Sequence, residues 1–197
     1  MQLAKQIIAT KYPYILPIRY IAHHINLITS HIIKLDFAKN VFTKCQNLIT
    51  FFKTSYRAGA ALQEDIINSF IKGGGLKISV KTRWFTAWNC CNSIIRLENS
   101  LKNVLENQPE IFQNALSLKN ILHNCQFWQD VEQLENILAP AKRAIQAVEA
   151  KSSNMALCFL ELVKMAIAIK NISNIIDLNF KTYALKFIIS IGSNLIF

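Results

Sequence analysis

The chain has 197 residues and a formal net charge of +10, with 52% hydrophobic and 17% charged residues. The length suits one domain with a sizeable core, and the composition is more apolar than that of an average soluble domain. A membrane span is excluded on sequence grounds: Glu161 and Lys164 interrupt the most apolar run (155–169), and the tail 183–197 falls short of the ~20 residues a bilayer needs.

Residues 2–11 read as a helix with Leu3, Ile7 and Ile8 on one face, stopped by Tyr12-Pro13 because proline donates no backbone hydrogen bond. Residues 15–22 (Ile15, Leu16, Ile18, Tyr20 and Ala22 among them) predict one buried strand. A lone strand leaves its backbone groups unpaired, so it needs neighbours that the rest of the chain hardly supplies. From His23 the period is helical. Ile25, Ile28 and Ile32 form one stripe, Val41, Cys45, Leu48, Ile49 and Phe52 the next, and Leu62, Ile66, Ile67 and Phe70 a third. Gly73-Gly74-Gly75 marks a turn, and no GxGxxG or GKS/T pattern turns it into a phosphate loop. After residues 76–80, Thr82 or Thr86 is placed to cap one long helix carrying Trp88, Cys91, Ile95, Leu101 and Leu105. Pro109 breaks it. A further helix begins near Phe127 with the stripe Val131, Leu134, Leu138, Ala141, Ile145 and Val148, and Pro140 inside it predicts a kink or a restart. Residues 151–154 are a polar break, 155–170 another apolar helix, and 180–197 resume helical periodicity.

The excess of 22 basic over 12 acidic residues favours an anionic partner such as DNA or RNA, although the lysines are dispersed and solvated faces account for most of them. Lys5, Gln6 and Lys11 break any secretory signal. Cysteines 45, 90, 91, 125 and 158 are odd in number and include no CxxC pair, which points to a reducing intracellular compartment and to thiols packed as small apolar residues. His24 and His31 share a helix face, yet no histidine or cysteine spacing matches a standard zinc site. By default His23 and His24 are structural histidines, and Trp84, Trp88 and Trp128 are core aromatics.

Several landmarks recur in a meaningful order. Residues 12–27, with Tyr20-x-x-His23 and then Asn26-Leu27, resemble the strand of hAT-type (hobo–Activator) transposases that bears a Cys-x-x-His motif followed by Asn-Leu. Gly74-Gly75-Leu76 leading to Thr82-Arg83-Trp84 is similar to the turn and Arg-Trp landmark of that family's helical insertion. Residues 138–154 resemble a later insertion helix, and Phe180-Lys181-x-Tyr183 the return toward the core.

The resemblance implies an RNase H-like core that holds divalent metal such as Mg²⁺ through two aspartates and a glutamate, split by an all-helical insertion. It implies that His23 matches the motif histidine near the active site. It further implies that Trp84 stacks beside a distorted base and that Arg83 contacts phosphate. Two departures bear on this. Tyr20 stands where the family has cysteine, and Asp36, Asp65, Asp130 and Asp177 match no catalytic landmark. The carboxylate triad is expected to fall outside residues 1–197.

The expectation is therefore a mainly α chain, with one or few strands left from an incomplete RNase H-like α/β core. Residues 1–22 would be residual core, 23–179 the helical insertion domain and 180–197 the start of the return, truncated at both ends. The expected function is that of a catalytically inactive, non-enzymatic transposase fragment with residual DNA binding through Arg83 and Trp84. No catalytic residue, metal ligand, cofactor, membrane or small-molecule substrate is expected. Expected partners are DNA and either a second copy or a full-length transposase, in the nucleus. The alternative is a helical dimerisation module.

Overall fold

The computed structural model describes residues 7, 10–12, 21–80, 85–151, 154–171, 182, 186 and 189. In chain order the helices are α1 (Ile21–Lys34), α2 (Asp36–Thr54), α3 (Tyr56–Asn68), α4 (Phe85–Arg96), α5 (Glu98–Asn107), a 3₁₀ turn (Pro109–Phe112), α6 (Leu116–His123), α7 (Cys125–Glu149) and α8 (Met155–Asn171). No extended strand occurs among the described residues, so the mainly α reading holds. None of their helices is long and apolar enough to cross a membrane.

α7 is the central element, packed against α1, α2, α4 and α8, while α3 lies between α2 and α5. The periodicity explains why. Val131, Leu134, Leu138, Ala141 and Ile145 of α7 are all buried, as are Val41, Cys45, Leu48, Ile49 and Phe52 of α2. These stripes join one hydrophobic cluster that runs from Ile25 to Met165. Side chains set the helix starts: Ser55 Oγ accepts the Ala58 N–H at 3.3 Å, and Asn124 Oδ1 accepts those of Gln126 and Phe127 at 2.8 and 3.3 Å.

Three expectations change, and of the kink or restart expected at Pro140 the restart does not occur. Most of the strand predicted over 15–22 lies outside the described residues, but Ile21 and Ala22 open α1 instead. Ala22 continues the Ile25/Ile32 stripe backward by one helical step and is 1% exposed. The single helix expected after residue 82 is two, α4 and α5, joined at Leu97. The Leu97 N–H lies within reach of both the Ser93 and Ile94 carbonyls (3.2 and 3.1 Å), a local tightening that the apolar pattern does not announce. α7 continues through Pro140 without restarting. Ile67 and Phe70, expected on the buried stripe of α3, are 62% and 89% exposed: Ile67 sits about 100° round the helix from buried Ile66, and Phe70 lies beyond the helix end at Asn68. Finally, α6 had no expectation attached to it.

Cys45, Cys90 and Cys91 are free thiols with no exposed surface, while Cys125 is exposed. A hydrogen bond with Cys91, and then burial, push the Cys45 thiol well above its ordinary pKa; burial, and then Cys91, do the same for Cys90. Thiolate is the reactive form. A thiol reagent is therefore expected to label Cys125 in the folded protein and to reach Cys45, Cys90 and Cys91 only on unfolding, as peptide mapping after labelling would show.

Candidate nucleic-acid interface

α2 and α3 form a hairpin around Ser55, and Gly59 of α3 packs against the last turn of α2. A Cβ built at Gly59 would sit 2.9 Å from the Phe52 carbonyl oxygen, so only glycine fits without a shift. The chain after α3 then runs back along α4. Leu76 is buried, the Lys77 N–H donates to Ser93 Oγ at 3.0 Å, and the Val80 N–H donates to Thr86 Oγ1 at 2.8 Å. The Ser79 and Thr86 hydroxyls lie 3.3 Å apart.

Between the hairpin and this returning segment lies a groove of about 480 Å³, lined among others by Lys53, Gln63, Lys77 and Asn89. Lys53 and Lys77 are both exposed at its surface. Two ammonium groups with two side-chain amides supply hydrogen-bond donors in the number and charge that phosphate oxygens accept. The acidic residues of α3, Glu64 and Asp65, line a different and smaller groove of about 180 Å³ with Asn68 and Asn107. Asp65 is further engaged there by the Asn103 amide at 3.2 Å.

Sequence reasoning took the lysines as dispersed and missed a signal here. Between Asp65 and Glu98 the chain has no acidic residue, while Lys72, Lys77, Lys81, Arg83 and Arg96 are all basic. One wall of the groove, with Ile66, Leu76, Lys77 and Asn89, falls inside that acid-free stretch. Lys53 joins it only through the hairpin.

Of the predicted site residues, Arg83 and Trp84 lie outside the described residues. The flanking residues Val80 and Thr86 are fastened together as given above. His23 is exposed in the first turn of α1, far along the chain from the groove wall. Trp88, expected as core, is partly buried, and its ring face is taken by Lys142 Nζ at 3.5 Å from the centroid. Burial lowers the Lys142 pKa, and Glu135 opposes that shift. A ring covered in this way is not free to stack on a base, in keeping with a structural role. Trp128 is buried, and its Nε1–H donates to the Leu122 carbonyl at 3.0 Å.

The divalent metal that the resemblance implies does not fit the described side chains. No group of three or more His, Cys, Asp or Glu converges among them. Asp36 opens α2, Asp65 is held by Asn103, and Asp130 accepts from the Gln126 amide at 2.8 Å.

Comparison with protein-family profiles, with curated proteins and with solved structures gives no match.

Proposed function

We propose that this chain is a helical nucleic-acid-binding module of the hAT-transposase type, which holds DNA without cutting it. The observation that carries the reading is the groove lined by Lys53 and Lys77, one wall of which belongs to a stretch of chain without a carboxylate that leads directly into Thr82-Arg83-Trp84. Lysines at this groove neutralise phosphates and release counterions, which supplies sequence-independent affinity. Trp84 then stacks where a base has lost its neighbour, and Arg83 pairs with the adjoining phosphate. On this reading residues 23–179 are the insertion, and 1–22 and 180–197 are the flanks by which it joined an RNase H-like core. DNA as partner makes the nucleus its site of action.

A gel-shift titration with a duplex and a single strand of the same sequence tests it. Binding is expected at low salt, weakening as salt rises, with Arg83→Ala and Trp84→Ala each weakening it further. Absence of a shift at low salt contradicts the reading. A second reading, a dimerisation module, is favoured by one observation: Leu160 and Ile167, two turns apart on α8, are 48% and 55% exposed. That outcome would give a concentration-dependent dimer in sedimentation and no shift with DNA.

A further inference from the structure

The end of α3 carries a feature that folding does not explain. The Phe70 N–H donates to the Ile67 carbonyl and the Ile71 N–H to the Ile66 carbonyl, both at 3.1 Å. This is a Schellman turn, with Ser69 as the last half-helical residue and Phe70 at the position that normally takes glycine. Phe70 has φ +52°, the only positive φ among the described non-glycine residues. A Cβ in this region crowds the backbone, and a bulky aromatic is a genuine outlier there. Glycine was close at hand, since residues 73–75 are all glycine, and Gly73 and Gly74 adopt φ +99° and +73°. Nor does burial compensate, because the Phe70 side chain is among the most exposed large hydrophobics of the chain.

The loop behind Phe70 is fastened down. Arg96 Nη1 donates to the Lys72 carbonyl at 2.8 Å, and a Cβ on Gly73 would lie 3.1 Å from Arg96 Cζ. Buried Leu76 and the Lys77–Ser93 bond fix the other end. Strained residues held by their surroundings cluster at binding sites and ligand clamps. The neighbouring charges say what kind of partner. Lys72 and Lys77 are exposed on either side of the glycines, and no carboxylate follows in the chain until Glu98; the carboxylate that precedes, Asp65, is taken up by the Ser69 hydroxyl at 3.4 Å and the Asn103 amide at 3.2 Å.

We propose that Phe70 is a stacking platform for an unpaired nucleobase, with Lys72 and Lys77 on the flanking phosphates. The inference rests on the nucleic-acid reading above and adds that the strand reaching Phe70 is single-stranded. An aromatic face accepts any base, so the contact is indifferent to sequence.

The test uses the full chain, a mixed-sequence single strand and its duplex, both followed by anisotropy, with thermal unfolding measured in parallel. Phe70→Gly relieves the left-handed strain and is expected to raise Tm by about 2–4 °C. The same variant is expected to weaken single-strand binding about tenfold or more, to change duplex binding by less than about twofold, and to leave the salt dependence intact. Phe70→Trp is expected to keep single-strand affinity. If Phe70→Gly lowers Tm, the ring is structural and the proposal fails. If the parent chain binds DNA and Phe70→Gly leaves single-strand affinity unchanged, the platform fails while the groove stands. If the parent chain binds neither probe, both fall. A dimer in sedimentation that Phe70→Gly dissociates would assign the ring to a second copy and overturn the proposal.

Discussion

Phe112→Ala is expected to lower stability by about 3–5 kcal/mol, read as an earlier midpoint in urea with an unchanged slope. Phe112 closes the 3₁₀ turn Pro109–Phe112 and is 1% exposed. Its ring lies 5.2 Å from that of Phe51 and 6.0 Å from that of Phe52, and those two meet edge to face at 5.4 Å. The cluster ties the end of α2 to the turn after α5, so truncation leaves a cavity that helices fixed elsewhere cannot close. Phe52 also lines the basic groove, and nucleic-acid affinity is expected to fall with stability. The nearby Arg57–Glu110 ion pair (2.6 Å) is mostly exposed, so removing it serves as the control, with an expected change of less than about 1 kcal/mol. A loss for Phe112→Ala as small as the control's would mean that the aromatic cluster does not fasten these elements.

Lys53→Ala with Lys77→Ala is expected to produce the largest loss of nucleic-acid affinity, about ten- to a hundredfold at low salt. Each phosphate contact contributes about 0.9 to the dependence of log K on log salt. Removing both lysines should therefore flatten the salt dependence by about 2. The two substitutions lie on exposed side chains, so stability should change by no more than about 0.5 kcal/mol. Equal salt dependence in parent and variant would remove the groove from the interface.

Much of the helical order was legible in the sequence because the apolar stripes of α2 and α7 are long and regular. Pro109 likewise marks a true boundary, where a 3₁₀ turn replaces the helix. Other features gave no local signal. α6 buries only Leu118 and Leu122, a single i,i+4 pair that no periodicity window detects. The joint at Leu97 falls within an unbroken apolar pattern, since Leu97 is itself buried. Pro140 usually argues for a break, yet its missing N–H removes a single helix bond, and Pro140 is buried with the apolar stripe that holds α7 against its neighbours. At α3 the apolar pattern of Leu62, Ile66, Ile67 and Phe70 outlasts the helix, and nothing in the residue types foretells a phenylalanine in a glycine conformation.

The site was legible only in part. Arg83 and Trp84 were singled out through the resemblance to hAT-type transposases, and the acid-free stretch around them stands in the sequence for anyone who looks for missing carboxylates. Lys53 could not be found that way. It lines the same groove as Lys77 because α3, with Gly59 against the Phe52 carbonyl, folds back on α2, which is a tertiary event.

The proposed binding of nucleic acid at the groove that carries Lys53 and Lys77 is tested most directly by a salt titration of binding to a labelled duplex. With Lys53, Lys77 and Arg83 on phosphates, log K is expected to fall linearly with log salt, with a slope of about −3 or steeper. No binding at about 50 mM salt, or binding indifferent to salt, would contradict the account.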